Sequence, residues 1–166
     1  MKIAVINFPG SNCERDVIHV LRDVLGLKAD LLWHREARLK GYDAVILPGG
    51  FSYGDYLRAG VIAAHSPVLR EIRRLADEGR PVLGICNGFQ ILVEAGLLPG
   101  ALMRNMKLKF ICRWVNLRVE TNRTTFTKSC EKASILRMPI AHNEGRYFIE
   151  PEGLESLYKN DQVVFT

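Results

Sequence analysis

The stretch Val82-Leu83-Gly84-Ile85-Cys86-Asn87-Gly88-Phe89-Gln90 sets a cysteine between two glycines, where an apolar run ends and a helical pattern begins. A thiol there can serve as a nucleophile. A sharp strand-to-helix turn strains the backbone at its apex, and small neighbours let adjoining backbone come close enough to hold it. Such a turn aims a helix N-terminus at the sulfur, which favours the thiolate. It also leaves the backbone N–H of Asn87 available to stabilise an oxyanion. The competing reading of Cys86 is a small buried residue in a tight turn, as most free cysteines are. Strand before, helix after and glycines in register together favour the nucleophile.

A second stretch, Leu47-Pro48-Gly49-Gly50-Phe51-Ser52-Tyr53-Gly54-Asp55, follows another apolar run. Its double glycine can present bare N–H groups to an oxyanion or carboxylate. Alone it reads as an ordinary glycine turn. Beside Cys86 it reads as an oxyanion loop, in which a larger residue at Gly50 would crowd the approach of a substrate carbonyl.

To bring both turns to one edge the chain needs parallel strands, and the hydrophobic pattern supplies them. Lys2–Asn7, Ala29–Trp33, Ala44–Leu47 and Pro81–Ile85 read as strands, separated by helical patterns at Cys13–Leu25, Gly60–His65 and Pro67–Glu78 and followed by Asn87–Glu94. Ser11 and Asn12 are candidate caps of the first helix. This alternation predicts an α/β fold, a mostly parallel central sheet with helices on both faces, ligands being expected at the carboxyl edge. Cys112–Thr121, Met138–His142 and Gln162–Phe165 read as strands of a more antiparallel C-terminal part. Residues 1–166 are expected to form one domain. The last strand runs into Thr166 without a cap or polar tail, as though the domain lacked a C-terminal segment.

Composition excludes several classes. With 48% hydrophobic and 25% charged residues the chain is neither disordered nor coiled coil. No apolar run approaches the ~18 residues of a membrane helix, so a cytoplasmic protein is expected. The net charge of +5 is spread along the chain without aromatic interleaving, which argues against nucleic acid. Cys13, Cys86, Cys112 and Cys130 lack zinc-site spacing, and no metal is expected. Cys13, at a helix start, is open to mild activation by the dipole, whereas His19, His34 and His65 read as structural.

Pro48-Gly49-Gly50 followed by Gly84-Ile85-Cys86-Asn87-Gly88-Phe89-Gln90 resembles the class I (triad) glutamine amidotransferases, whose shared pattern is a diglycine loop and Gly-x-Cys-x-Gly-x-Gln. Phe8–Asp16, Gly50–Arg58 and Pro139–Tyr147 narrow the likeness to the glutaminase subunits of phosphoribosylformylglycinamidine synthases, a family of purine biosynthesis. The resemblance implies a flavodoxin-like sheet and a glutaminase in which Cys86 forms a glutamyl thioester and releases ammonia. It implies oxyanion donors at Gly49, Gly50 and Asn87, and Gln90 near the bound glutamine, although Gln90 also reads as a helix residue packing by its stem. L-glutamine, a synthetase subunit and a small accessory subunit are the implied partners. No cofactor is expected in this chain, ATP and Mg belonging to the synthetase; no phosphate-binding Gly-x-x-x-x-Gly-Lys loop occurs here.

The likeness fails at one point. The family's His-Pro-Glu segment, which supplies base and orienting carboxylate, does not occur in these 166 residues. His142-Asn143-Glu144 has the same spacing, but lies in what is a separate feature of the family, so that lining the site or a subunit contact is the favoured role for His142 and Glu144. Two alternatives stay open: a glutaminase serving another synthase, and a catalytically incomplete docking subunit.

Overall fold

Along β1 (Lys2–Asn7) successive side chains point to opposite sides, and both sides are apolar. Ala4 and Ile6 pack with Val45, Leu47, Val68, Ile72, Leu75, Ile91 and Leu92. Ile3 and Val5 pack instead with Ala29, Ala44, Ile46 and Leu21, supported by Val17 and Ile18. A strand apolar on both faces must be covered twice, which is how this chain folds. The computed structural model describes residues 1–35 and 38–166. They divide into two units, Met1–Leu98 and Pro99–Thr166.

In the first unit β1 pairs in parallel with β2 (Lys28–Trp33) and β3 (Ala44–Leu47), and β3 with β4 (Val82–Gly84), giving the order β2-β1-β3-β4. The expected α/β architecture is present. Helix α1 (Glu14–His19) lies on one face. Across the sheet, α2 (Val61–Ala64), α3 (Val68–Asp77) and α4 (Asn87–Glu94) contribute to the other core. The first helix is shorter than its periodicity predicts, because Val20–Val24 continue it as a π-helical turn that ends with the Leu25 N–H donating to the Val20 carbonyl. Ser11 is no helix cap either. Its hydroxyl accepts from the Phe8 N–H at 3.0 Å, closing the turn that leads into α1, and the cap position falls to Cys13 without a side-chain bond.

The second unit holds two antiparallel pairs, β5 (Ala101–Met103) with β8 (Arg146–Phe148) and β6 (Ile111–Arg118) with β7 (Ile135–His142), and a helix α5 (Pro151–Lys159). β7 alternates between exposed and half-buried positions, as an antiparallel strand with one wet face does. The strand expected at Gln162–Phe165 is reduced to one bridge, Phe165 opposite Val119, because α5 runs almost up to it and leaves too few residues for a ladder. Pro151 in the first turn of α5 was the legible sign of that helix.

Asn105, 5% exposed, organises the turn between β7 and β8. Its Oδ1 accepts from the Gly145 N–H, its Nδ2 donates to the carbonyls of His142 and Lys109, and its own N–H donates to the Asn143 carbonyl. A full set of hydrogen bonds is what a buried amide requires.

Candidate functional site

β3 and β4 are in register with Leu47 opposite Gly84, and the Ile85 N–H donates to the Leu47 carbonyl at 2.9 Å. Both carboxyl ends therefore reach the sheet edge together. Cys86 stands there, solvent-exposed, with φ +52° and ψ −110° immediately before α4. A non-glycine residue in that region costs about 1–3 kcal/mol and persists only where its surroundings hold it. The holding is visible in the flanking glycines. A Cβ at Gly88 would lie 2.0 Å from the Leu47 carbonyl oxygen, and one at Gly84 would lie 2.7 Å from the Gly88 carbonyl. Cys86 thus has the backbone of a nucleophile elbow, as the spacing predicted.

Gly49 adjoins it. The point where a Gly49 Cβ would stand is 3.4 Å from Cys86 Cβ and 3.5 Å from Cys13 Sγ. The Gly49 carbonyl accepts from the N–H groups of Asn12 and Cys13 at 3.1 and 3.2 Å. Because the peptide is planar and trans, the Gly50 N–H points the opposite way from that carbonyl. Gly50 itself has φ +147°, and a Cβ there would meet Asn12 N at 2.6 Å, Gly10 O at 2.7 Å and Ser11 Cα at 2.8 Å. The expectation that a larger residue at Gly50 acts by crowding the substrate is therefore corrected. It collides first with the backbone of the β1–α1 turn.

After Gly50 the chain is strained over a short span: Tyr53, Gly54, Asp55 and Leu57 all have positive φ, between +53° and +69°. Asn87 pins this loop from α4. Its side chain is 2% exposed, accepts from the Ser52 N–H at 3.1 Å, and donates to Asp55 Oδ1 at 3.3 Å and Gln90 Oε1 at 2.9 Å. Sequence reasoning assigned Asn87 only by its backbone N–H and missed this amide. Gln90, 8% exposed, is drawn into the same network. Beyond the loop, Arg58 forms two parallel bonds of 2.6 Å with Glu94, which fasten the loop's end to α4.

Cys13 lies near the site but is not activated. Burial pushes its thiol above the usual cysteine range, and the charges of Asp16, Cys86 and Glu14 push the same way. His142 belongs to the second unit, where its Nδ1 pairs with Asn105 Oδ1 at 3.0 Å, and the Glu144 carboxylate lies 3.9 Å from Arg104. These contacts build the turn around Asn105. Among the described residues no three His, Cys, Asp or Glu side chains come together to hold a metal ion.

His34, read as structural, proves to be 2% exposed at the end of β2, with both ring nitrogens in hydrogen-bonding contact, to Ser66 and Tyr53. Burial depresses its pKa below the ordinary 6.5, and the Arg35 charge adds to this. A base with a depressed folded-state pKa contributes stability that is whole above its unfolded value and is lost as pH falls through the folded one. The melting temperature is expected to drop as pH is lowered from 7 towards about 5. In His34→Gln that drop should be shallower. Parallel curves for the two proteins would contradict the buried neutral imidazole.

The model of a CobB/CobQ-like glutamine amidotransferase domain matches residues 1–166. Phosphoribosylformylglycinamidine synthase subunit PurQ of Methanosarcina acetivorans is 56% identical over 165 residues, which are 99% of this chain and 71% of that protein. The same subunit of Methanosarcina mazei matches equally well, at 56% identity over 99% of this chain and 71% of its own length. Among solved structures, PurLQS from Thermotoga maritima superposes with a TM-score of 0.86 at 48% identity, over 90% of this chain and 70% of that one. A glutamine amidotransferase from the same organism, at 20% identity and a TM-score of 0.59 over 91% of this chain and 64% of that one, shares the fold.

Proposed function

The chain belongs to the CobB/CobQ-like glutamine amidotransferase family, and from that premise we propose that it is the glutaminase subunit of a phosphoribosylformylglycinamidine synthase, a step of purine biosynthesis. The observation that carries the reading is Cys86 on its strained turn beside the Gly49-Gly50 loop. Its substrate is L-glutamine. The Cys86 sulfur attacks the carboxamide carbon, a C–S bond forms, and the carbonyl oxygen takes negative charge opposite the N–H groups of Gly50 and Asn87. Collapse of this intermediate breaks the C–N bond and expels the amide nitrogen, which leaves as ammonia with the proton the thiol gave up, and water then cleaves the thioester to glutamate and free thiol. Glutamine and its oxyanion thus meet a loop whose position is set by Asn87 and by the Gly49 carbonyl bonds.

The ammonia passes to a synthetase partner, which converts formylglycinamide ribonucleotide to formylglycinamidine ribonucleotide and binds ATP and Mg itself, with a small accessory subunit in the assembly. A protein path is needed because ammonia released to water is protonated and lost as a nucleophile. The reaction is placed in the cytoplasm. No described helix is long and apolar enough to cross a membrane.

The test is reconstitution. With ATP and formylglycinamide ribonucleotide, the synthetase alone should use ammonium salts, and addition of this protein should confer use of glutamine. A synthetase that gains no glutamine-dependent synthesis from the complete protein would overturn the reading.

A further inference from the structure

We propose that His34 is a positioning residue for the oxyanion loop, acting through the Tyr53 hydroxyl to fix the Gly49–Asp55 segment against Cys86. The inference rests on the glutaminase reading. His34 follows β2 at the carboxyl edge of the sheet, and its ring is immobilised from several sides: Phe8 stacks at 5.3 Å, Trp33 meets it edge-on at 4.7 Å, and Nδ1 lies 2.6 Å from Ser66 Oγ. The polar contacts hold the ring at both nitrogens: Nδ1 shares a hydrogen bond with Ser66 Oγ, which also lies 3.4 Å from the His34 carbonyl, and Nε2 shares one with the Tyr53 hydroxyl at 3.3 Å.

Tyr53 is the first of the strained residues after the diglycine, at φ +54°. It is tied at both ends, by its N–H to the Pro9 carbonyl at 2.7 Å and by its hydroxyl to His34. Strain of this kind survives only where such ties over-determine it. Two residues upstream, the Phe51 N–H donates to the Gly10 carbonyl at 2.8 Å, and Gly50 packs on the same turn. A loop that relaxes at Tyr53 therefore shifts the Gly50 N–H, whose alignment matters only when negative charge forms on the substrate oxygen. That predicts a loss in kcat with little change in KM.

The test uses Tyr53→Phe and Ser66→Ala in the natural full chain assembled with the synthetase. Each should lower glutamine-dependent kcat about 10-fold, short of the 10²–10³-fold cost of deleting a donor outright, with KM within about two-fold of the unmodified complex. The double variant should be no worse than the poorer single one, because both act through one ring. Alkylation of Cys86 by iodoacetamide, which needs no oxyanion hole, should keep its rate, as should synthesis from ammonia. Alkylation by a glutamine-like chloroketone should slow with kcat. Unchanged kcat in Tyr53→Phe would overturn the inference, and so would a loss shared by iodoacetamide labelling or ammonia-dependent synthesis, which marks general structural damage. Absence of glutamine turnover in the unmodified complex would instead overturn the glutaminase reading, and this inference with it.

Discussion

Replacing Cys86 by alanine is expected to reduce glutamine-dependent synthesis by at least about 10⁴-fold while leaving synthesis from added ammonia intact, because a nucleophile that forms the covalent intermediate has no substitute in the site. The expectation is sharp because the neighbouring thiol cannot stand in. Cys13 Sγ lies beside Gly49 on the same side as Cys86, but burial and nearby acidic charge push its thiol above the usual cysteine range, away from the thiolate. The substitution should not disturb the fold. Cys86 is exposed, and alanine adds no atom to the crowded contacts between Gly88 and Leu47. Parallel rates from glutamine and from ammonia, with intact melting, are the measurements that check it. Loss of both activities would make Cys86 a structural residue of the assembly.

Gly50→Ala should damage turnover less than that and for a different reason, and it should also cost stability. The new methyl group would stand within 2.8 Å of backbone atoms of Gly10, Ser11 and Asn12, at a φ of +147° that alanine resists. The loop must move. If the Gly50 N–H leaves its place, one oxyanion donor is lost, which costs about 3 kcal/mol of barrier, or a factor of 10²–10³ in kcat. The clash itself should lower the melting temperature by several degrees, following the roughly 1–3 kcal/mol typical of overpacking. Gly49→Ala is the control. Its methyl group would make only ordinary contacts, at 3.4 Å from Cys86 Cβ and 3.5 Å from Cys13 Sγ, so the protein should melt normally. A Gly50→Ala protein with normal melting and normal turnover would remove the loop from the mechanism.

The two variants also mark the limit of what sequence can convey. The elbow was legible because its requirement is local: two glycines and a cysteine between a strand and a helix leave few other backbones possible. The parallel sheet was legible for a similar reason, since strands apolar on both faces alternate with helical periodicity. The direction of the missing Cβ at Gly50 was not, because it depends on a turn some 40 residues earlier in the chain. The same holds for the Asn87 amide, whose partner Ser52 lies 35 residues away, and for His34, which meets Ser66 across 32. Neither polar residue type announces a distant partner. In the second unit the periodicity of β6 and β7 could be read, but short β5 and β8 are fixed by pairing with each other and by the Tyr147 hydroxyl donating to the Pro99 carbonyl.

The central claim is that Cys86 carries the acyl group, and the most direct measurement is to quench the glutamine-turning complex in acid and map the protein by mass spectrometry. The account predicts a glutamyl adduct on the peptide containing Cys86, lost on treatment with hydroxylamine as a thioester is. An adduct on Cys13, Cys112 or Cys130, or steady turnover in a Cys86→Ala complex, would contradict it.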